Sequence, residues 1–387
     1  MLSCRNATRD EPMNRLDEFL TSARPATPCV VIDLDIVRAR LRALRALFPA
    51  TSIYYAVKAN PAADIIAALA ALDCCFDLAS PGEMERCRGA GVPVSRLSYG
   101  NTIKRERDIA AAFAEGIDLF AFDSEPELEK LARVAPGARV FCRLLVRDTG
   151  AEWPLSHKFG CDQRTAIDLL IKARTLGLCP AGVSFHVGSQ QTDPRQWAVP
   201  IAHAAGIFRA CGRRGIALSL LNLGGGLPAQ YRAAVPALER YAEVINTALT
   251  QEFGTARPHV LLEPGRHMVG DAGVLRSEVV LVAERPHPGG HRWVYLDAGR
   301  YNGLPETQRE MIQYRIRTAR DGDPGGRVIL AGPTCDSTDI IYQRAGYELP
   351  LTLTAGDHLD FLSAGAYTSS YASVEFNGFA PVRTWCI

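Results

Sequence analysis

The sequence has little lysine and no long apolar run. Only five of its 387 residues are lysine, so each lysine can be judged individually. No apolar stretch approaches the roughly 18 residues that a membrane span needs, and residues 1–20 contain no apolar signal core. The formal net charge of +1 leaves no basic excess for nucleic acid or an anionic membrane. We therefore expect a cytoplasmic protein that binds neither nucleic acid nor membrane.

The eleven cysteines include no C-x-x-C pair, which argues against a disulfide framework or a structural metal site. Cys29, Cys142 and Cys179 lie in apolar or strand-like runs. Reduced, buried thiols are expected there, and we expect no bound metal.

The organisation of the chain predicts two domains. Apolar residues make up 47% and charged residues 22%, an ordinary globular composition. Between residues 30 and 265 a short β-rich run alternates with a longer Ala/Leu/Arg stretch, which indicates βαβ units and a parallel sheet. The eight strand candidates are Ile53–Lys58, Cys75–Ala79, Arg96–Tyr99, Leu119–Phe122, Val140–Leu144, Gly182–Val187, Leu220–Leu223 and Val260–Glu263. Eight units predict an α/β fold of the (β/α)8 TIM-barrel type, with a doubly wound open sheet as the alternative.

The alternation of β-rich and helical stretches ends near residue 270, after which short β-type runs are separated by Pro and Gly. These runs predict a mostly antiparallel β-barrel or β-sandwich domain, and Cys29–Ile32 is a candidate to pair with it. We predict a barrel over 34–268 and a β domain formed by 1–33 and 269–387.

Charged and glycine residues recur where the strand candidates end, which is the catalytic face of a (β/α)8 barrel. Those residues are Lys58, Asp77, Arg143, His186, Gly224–Gly226 and Glu263–Arg266. The glycine triplet and Gly265-Arg266 follow strands seven and eight, where such barrels often hold a phosphate. Glycine lets backbone N–H groups approach an anion, and Arg supplies a bidentate charge. The triplet taken alone is equally typical of a plain turn.

Lys58 ends an apolar strand, where partial desolvation would lower the pKa of its amine and make it nucleophilic. Such an amine can form a Schiff base. The alternative is a structural lysine paired with Asp77 or another carboxylate. The position of Lys58 in the strand leaves both open.

Several ordered motifs resemble one family, the alanine-racemase-fold decarboxylases that use pyridoxal 5'-phosphate (PLP). The resemblance is to bacterial ornithine/lysine decarboxylases related to eukaryotic ornithine decarboxylase, and it extends from Thr27 to Ile387. The motifs are Ala56–Asn60, Phe76–Ser80, His186–Ser189, Gly224–Gly226, Glu263–Arg266, Gly332–Asp336, Gly365–Thr368 and Phe376–Phe379.

The resemblance implies a role for each matching residue. Lys58 would hold PLP as a Schiff base, Glu263 would bond to the pyridine nitrogen, and His186 would stack on the ring. Asp77 and Arg143 would flank Lys58. The remaining cofactor-binding residues would surround the phosphate, and they are Ser189, Gly225, Gly226, Gly265, Arg266 and Tyr367.

The β domain would complete the site from the partner subunit of a homodimer. By resemblance, Cys335 would protonate the carbanion left after CO2 departs, and Asp336 would meet the distal amine of the substrate. Lys158 and Asp339 match a pair that bridges subunits in the family.

The resemblance predicts decarboxylation of a basic amino acid, L-ornithine to putrescine or L-lysine to cadaverine. Glu306, Glu310 and Phe376 would join Asp336 in binding that substrate. Arg309 departs from the pattern, because an acid is usual there and a cation would repel a distal ammonium. Either Arg309 turns outward, or the substrate is a different or modified amino acid of a specialised pathway.

Three further alternatives remain. A racemase of the same fold needs a second base on the opposite ring face, and the Cys335-Asp336 motif favours decarboxylation instead. A non-catalytic decarboxylase homologue should lack cofactor residues, and none is missing. A phosphate-binding barrel enzyme without PLP shares the glycine triplet but gives no account of Lys58 together with Cys335.

Overall fold

The computed structural model describes residues 15–146, 150–153, 158–285, 291–374 and 376–387. The strands are β1 (Cys29–Ile32), β2 (Thr51–Ala56), β3 (Cys75–Leu78), β4 (Leu97–Tyr99), β5 (Leu119–Phe122), β6 (Arg139–Arg143), β7 (Ala151–Trp153), β8 (Cys179–Ser184), β9 (Ser189–Gln191), β10 (Leu220–Asn222), β11 (His259–Leu262), β12 (Gly273–Arg285), β13 (His291–Leu296), β14 (Ile316–Thr318), β15 (Gly325–Ala331), β16 (Ile340–Tyr342), β17 (Glu348–Pro350), β18 (His358–Leu362) and β19 (Arg383–Cys386).

The α-helices are α1 (Arg15–Ser22), α2 (Leu34–Leu47), α3 (Ala63–Ala70), α4 (Pro81–Gly89), α5 (Glu106–Ala114), α6 (Glu125–Val134), α7 (Gln163–Thr175), α8 (Ala198–Gly212), α9 (Leu238–Phe253) and α10 (Arg266–Val269). Short 3-10 turns are Val57–Ala59, Val94–Arg96, Pro194–Trp197, Pro305–Glu310 and Phe376–Gly378. Among the described residues, no helix is both long enough and apolar enough to cross a bilayer.

Eight parallel strands close into a barrel in the order β2-β3-β4-β5-β6-β8-β10-β11, with β11 pairing back to β2. The barrel unit comprises Val37–Ala229 and Val235–Met268. The predicted (β/α)8 fold is therefore confirmed, and the open doubly wound sheet is wrong.

The barrel strands are mostly apolar, as expected where helices cover the outside and side chains fill the inside. Buried side chains from six strands pack into one cluster, and they are Tyr54, Leu119, Ala121, Phe141, Ala181, Leu220 and Leu261. Side chains from strands around the whole ring can contact one another only inside it, so the barrel is a packed core.

Local capping fixes where the helices begin. Ser80 caps α4 by accepting a hydrogen bond from the Glu83 N–H, and the Glu83 carboxylate accepts one from the Ala79 N–H at 2.6 Å. This pair is a variant of the capping box in which the carboxylate reaches the residue before the cap. Asp162 caps α7 by accepting from the Thr165 N–H at 2.8 Å. Each capping residue marks the start of a helix that follows a barrel strand or the loop after it.

The second unit is a β domain formed by the segments up to Ile36, Gln230–Ala234 and Val269–Ile387. Its sheet runs β14-β18-β12-β13-β15-β16, with β1 against β12 and β19, and with β17 against β15. Among the described strands of this unit, the β1–β19 and β13–β15 pairs are parallel and the other pairs are antiparallel, so the predicted mostly antiparallel domain is confirmed. Cys29–Ile32 forms β1 and joins this sheet, as the sequence predicted.

Some predicted features differ from the structure. β2 ends at Ala56, so Lys58 lies in the 3-10 turn Val57–Ala59 just beyond the strand. β8 ends at Ser184, which leaves His186 in the following loop. The sequence also gave no sign that β7 would pair with β9 as a separate two-stranded sheet. Cys29 and Cys142 are free and buried as expected, but Cys179 is exposed because it begins β8 at the outer edge of the strand.

Candidate active site

Lys58 and Asp77 form an ion pair at the carboxyl ends of β2 and β3. The Nζ of Lys58 lies 3.2 Å from Oδ2 of Asp77. The lysine side chain is 47% exposed, whereas the carboxylate is 3% exposed. The amine therefore faces accessible space while its counter-ion is buried in the barrel wall.

The Asp77 carboxylate lies against Gly100, the residue after β4. Its Oδ1 is buried and has no hydrogen-bond partner among the described residues. A Cβ atom at Gly100 would lie 2.0 Å from that oxygen, so the site needs glycine after β4. Burial raises the pKa of Asp77 and the Lys58 ammonium opposes that rise. Oδ1 therefore packs against the Gly100 backbone.

Glu263 follows β11 and is tied to the end of β10 by Asn222. The Nδ2 of Asn222 donates to Oε1 of Glu263 at 2.5 Å, and the Asn222 Oδ1 accepts from the Gly224 N–H at 2.8 Å. Burial, followed by the nearby Asp77, raises the pKa of Glu263 to about 7. The carboxyl group is therefore poised to share a proton near neutral pH.

His186 is a neutral imidazole at the end of the β8 region. Burial, with the Arg143 and Lys58 cations nearby, holds its pKa well below the usual range. Its Nδ1 accepts a hydrogen bond from the Gly188 N–H at 3.1 Å, which assigns the ring proton to Nε2. The ring is consequently fixed in one orientation and carries no charge.

Arg143 ends β6 and completes the charged group. Burial lowers the pKa of Arg143, while the carboxylates Glu263, Asp123 and Asp77 oppose that change. The guanidinium carbon lies 5.5 Å from the centre of the Phe159 ring, within the range of a cation–π contact. Two cations and two carboxylates thus share the mouth of the barrel.

The glycine triplet leaves no room for a side chain at any of its positions. Gly224 and Gly226 have φ values of +64° and +109°, where a Cβ is strained. A Cβ at Gly225 would lie 2.7 Å from the Glu263 carbonyl oxygen and 3.1 Å from the His186 Nε2. The backbone here approaches both neighbours closely, so each position of the triplet requires glycine.

Arg266 opens the segment after β11 and reaches across to the loop after β8. It is 3% exposed. Its Nε and one Nη lie 3.3 and 3.1 Å from the Ser189 hydroxyl. Gln190 fixes that loop by pairing twice with the Ala229 backbone, at 2.8 and 3.0 Å. A buried arginine beside a hydroxyl and a glycine loop suits an anion such as a phosphate.

In the β domain, Cys335 and Asp336 lie on an exposed loop between β15 and β16. The Cys335 thiol donates to the Asn377 Oδ1 at 3.6 Å. Asp336 accepts from both the N–H and the hydroxyl of Thr338 at 2.7 Å, and these bonds lower the pKa of Asp336.

Asp339 holds that loop from beneath. Its carboxylate is 2% exposed and accepts from the Arg300 N–H at 2.8 Å and from the N–H and hydroxyl of Thr334 at 3.1 and 2.7 Å. A Cβ at Gly332 would come within 2.4 Å of the same carboxylate. Asp339 therefore shapes the Cys335 loop through bonds within its own domain.

The segment predicted to contact substrate is the 3-10 turn Pro305–Glu310. Glu306 is 3% exposed, and Arg309 is exposed with a left-handed φ of 56°. The Glu310 carboxylate accepts from the Gln343 and Arg344 N–H groups at 2.8 and 2.7 Å, so it already has a structural role in its domain.

The last two predicted residues lie near the C-terminus. Tyr367 is half-buried with a φ of 54°. The side chain of Phe376 lies outside the described part of the chain.

The barrel thus defines a class of protein. An amine beside a buried carboxylate, a buried glutamate and a glycine-lined anion site meet at the carboxyl face of a (β/α)8 barrel, as in enzymes that bind a phosphorylated ligand through lysine. Within the described residues, no group of three His, Cys, Asp or Glu side chains could hold a metal ion.

Comparison with known proteins identifies the family. The family model described as pyridoxal-dependent decarboxylase, pyridoxal binding domain, matches residues 34–270. A lysine/ornithine decarboxylase of Selenomonas ruminantium is 34% identical over 92% of this chain and 88% of its own length. A Xenopus laevis protein named antizyme inhibitor 2 is 35% identical over 90% of this chain and 78% of its own length. The chain belongs to the pyridoxal-dependent decarboxylase family, which confirms the resemblance seen in the sequence.

A solved structure agrees with this assignment. The lysine/ornithine decarboxylase of Vibrio vulnificus, complexed with cadaverine, superposes with a TM-score of 0.87 at 32% identity. The alignment covers 97% of this chain and 100% of that one.

The residues present fit PLP. The Lys58 amine suits its aldehyde, and the loop of Gly224–Gly226 with Arg266 suits its phosphate. The unpartnered Oδ1 of Asp77 and the Glu263 carboxyl offer polar atoms to the ring substituents. The cofactor of this family and the chemistry of this barrel mouth therefore agree.

Asn222 is the site residue that sequence reasoning missed. It is fully buried and bonds both Glu263 and the glycine triplet. The available signal was a polar residue at the end of the otherwise apolar run Leu220–Leu223.

Proposed function

We propose that this enzyme decarboxylates a basic amino acid, L-ornithine or L-lysine, with PLP bound to Lys58. The observation that carries the proposal is the exposed Lys58 amine paired at 3.2 Å with a buried carboxylate, on the barrel face that also holds the glycine loop and Arg266. The pairing alone would also suit a structural lysine. Family membership and the anion site favour the catalytic interpretation.

The cofactor would be held by residues from six of the strand ends. Asp77 and Arg143 would flank Lys58, and His186, being neutral, can pack against an aromatic ring without adding charge. Tyr367 would reach the phosphate from the β domain. The other phosphate-binding residues would be Ser189, Gly225, Gly226, Gly265 and Arg266.

When bound, PLP supplies an electron sink for the pair of electrons left at Cα when CO2 departs. Glu263, as a carboxylate, would accept a hydrogen bond from the protonated pyridine nitrogen and hold the proton there. Asn222 orients that carboxyl group by donating to Oε1. Cys335 would deliver a proton to Cα, and Lys58 would release the amine product.

We further propose a homodimer in which Cys335 and Asp336 serve the partner's site. The exposure of both residues on a loop shaped by Asp339 supports this, because a proton donor must be reachable from outside its own domain. The test mixes Lys58→Ala and Cys335→Ala protomers, each inactive alone. Shared sites predict recovery of about a quarter of wild-type activity, since half the dimers carry one intact site. No recovery above the separate variants would show that sites are not shared.

The basic substrate is proposed from the acidic groups of the β domain and from relatives named lysine/ornithine decarboxylases. Asp336 is exposed and negatively charged, and Glu306, Glu310 and Phe376 are proposed to line the same pocket. The exposed position of Arg309 favours the outward orientation over a cation in the pocket. A modified amino acid remains the second candidate.

A substrate panel separates these candidates. Purified protein with PLP is incubated with L- and D-amino acids, and amine products are identified by mass. Putrescine or cadaverine from the L-isomers supports the proposal, whereas no amine from either would contradict it. Loss of optical rotation without CO2 release would instead indicate a racemase.

A non-catalytic homologue is the other class to exclude, because one relative of similar identity is named as an antizyme inhibitor. Retention of Lys58, Glu263 and Cys335 favours catalysis. Turnover of any amino acid in the panel excludes the non-catalytic interpretation. A cytoplasmic location remains a prediction.

A further inference from the structure

Two cysteines with no part in the proposed reaction lie together beside the barrel mouth. Cys142 is in β6, and Cys161 directly precedes the cap of α7. Their Sγ atoms are 3.5 Å apart, and both residues are free thiols. The S–S bond length is about 2.05 Å, so closing the gap requires a movement of about 1.5 Å.

The backbone already holds the two residues in register. The Cys161 N–H donates to the Arg143 carbonyl at 3.1 Å, and the Leu145 N–H donates to the Cys161 carbonyl at 2.9 Å. Leu144 and Cys161 form an isolated parallel bridge. The backbone of Cys161 is therefore tied to the end of β6, two residues beyond Cys142, and the 3.5 Å between the sulfurs is set within this tied segment.

We propose that Cys142 and Cys161 are a modification site, forming a reversible intramolecular disulfide with a peroxide as the oxidant. Cys161 is partly exposed and Cys142 is buried, so Cys161 reacts first. Its thiol loses a proton, the thiolate attacks one peroxide oxygen, and the O–O bond breaks to give a sulfenic acid and hydroxide, which takes up the thiol proton as water. The Cys142 sulfur then attacks the Cys161 sulfur, the S–O bond breaks, and the Cys142 proton leaves with the hydroxide as water. Two thiols are oxidised by two electrons and one peroxide is reduced.

Burial of Cys142 supports this order of steps. Burial, followed by the neighbouring Cys161, holds the pKa of Cys142 well above its usual range. A buried, protonated thiol reacts slowly with a peroxide in solution. Attack on a sulfenic acid at Cys161 rests instead on the 3.5 Å between the sulfurs, with the Cys142 proton passing to the departing hydroxide. The disulfide would be reversed by a dithiol reductant, which returns the two electrons.

The bond would form next to Arg143. Arg143 follows Cys142 in β6, and Phe159, two residues before Cys161, lies against the Arg143 guanidinium. Drawing the sulfurs together moves the backbone that carries both. Since Arg143 is proposed to flank the cofactor, we expect severalfold weaker PLP binding in the oxidised enzyme. This consequence rests on the proposed function, whereas the disulfide itself does not.

The disulfide is tested by peptide mapping of the holoenzyme after mild hydrogen peroxide treatment, alkylation with N-ethylmaleimide and non-reducing digestion. We expect a linked pair of peptides containing Cys142 and Cys161, two hydrogens lighter than their sum, which dithiothreitol separates. Cys161→Ser should abolish the linked pair, and Cys179→Ser, which removes an exposed cysteine, should retain it. Sulfinic acid at Cys161 with Cys142 still alkylated would overturn the proposal, and the wild-type map decides this even if a variant fails to fold.

The consequence for the cofactor is measured by PLP titration in a Cys335→Ala background, which removes the exposed thiol of the β domain. Weaker binding after oxidation that dithiothreitol restores, and that Cys161→Ser prevents, supports the link. Unchanged PLP affinity with the disulfide formed would overturn the link to Arg143. Failure of the wild-type protein to bind PLP at all would instead contradict the proposed function.

Discussion

The barrel mouth and the Cys335 loop differ in how their functional groups are held. At the barrel mouth Asp77, Asn222 and Arg266 are nearly or fully buried, and each contacts another site residue of the same unit. On the loop, Cys335 and Asp336 are exposed, while the buried residue beneath them, Asp339, accepts hydrogen bonds from the Arg300 N–H and from Thr334.

The difference teaches that cofactor binding and proton delivery are separable in this chain. The barrel has its charges arranged before any ligand arrives, which is electrostatic preorganisation. The loop carries an exposed thiol on a backbone held by Asp339. Changes in the barrel should therefore affect the cofactor, and changes on the loop should affect turnover alone.

The largest expected effect tests that separation on the loop. Cys335→Ala should lower kcat by about 10²- to 10⁴-fold, the usual contribution of a positioned proton donor. The absorbance of the bound cofactor should be unchanged, because the loop does not build the barrel site. Loss of the cofactor absorbance band in this variant would show that the Cys335 loop also contributes to cofactor binding.

The next effect is in the barrel. Gly225→Ala places a Cβ 2.7 Å from the Glu263 carbonyl oxygen, so we expect PLP affinity to fall by about tenfold or more, equivalent to at least about 1.4 kcal/mol. Gly89→Ala in α4 is the matched control, since a Cβ there meets nothing within 4 Å. Equal PLP affinity in the two variants, measured by fluorescence titration, would contradict a close-packed cradle.

A smaller effect should appear in the pH dependence of stability. The folded pKa of Glu263, about 7, exceeds its ordinary value of 4.5. The folded apoenzyme therefore binds more protons than the unfolded chain between about pH 4.5 and 7, and its stability falls as pH rises through that window. Glu263→Gln should remove its share of this pH dependence, which is a change of up to about 3 kcal/mol in the free energy of unfolding between pH 4.5 and 7. The pKa of Asp77 is also raised, so part of the pH dependence of stability should persist in the variant.

That slope is measured by urea unfolding of the apoenzyme at several pH values. An identical slope in wild type and Glu263→Gln would show that Glu263 ionises normally in the fold.

The smallest expected effect concerns Asn222. Asn222→Asp replaces the donor to Glu263 with a second carboxylate, which raises the pKa of Glu263 further through like-charge repulsion. We expect the pH profile of kcat/KM to move upward while the fold is retained. Asn222→Ala, which removes the donor without adding charge, separates the two causes. A profile that moves in neither variant would make Asn222 purely structural.

The sequence predicted the barrel because eight β-rich runs alternate with helical stretches, which favours eight βα units in a closed parallel sheet over an open one. It placed the charged residues correctly at strand ends, since the carboxyl ends of parallel strands share one face. It could not show that Glu310 binds the Gln343 and Arg344 backbone, because that contact spans more than 30 residues. Likewise, no local spacing links Cys142 with Cys161; only the β6–α7 packing brings them together.

The central claim, PLP held by Lys58, is tested most directly by trapping. Borohydride reduction of the holoenzyme followed by peptide mass spectrometry should place a phosphopyridoxyl group on Lys58, with loss of the absorbance band near about 420 nm. Lys58→Ala should show neither the adduct nor the band. An adduct on Lys104, Lys130, Lys158 or Lys172 instead, or none in wild type, would contradict the account.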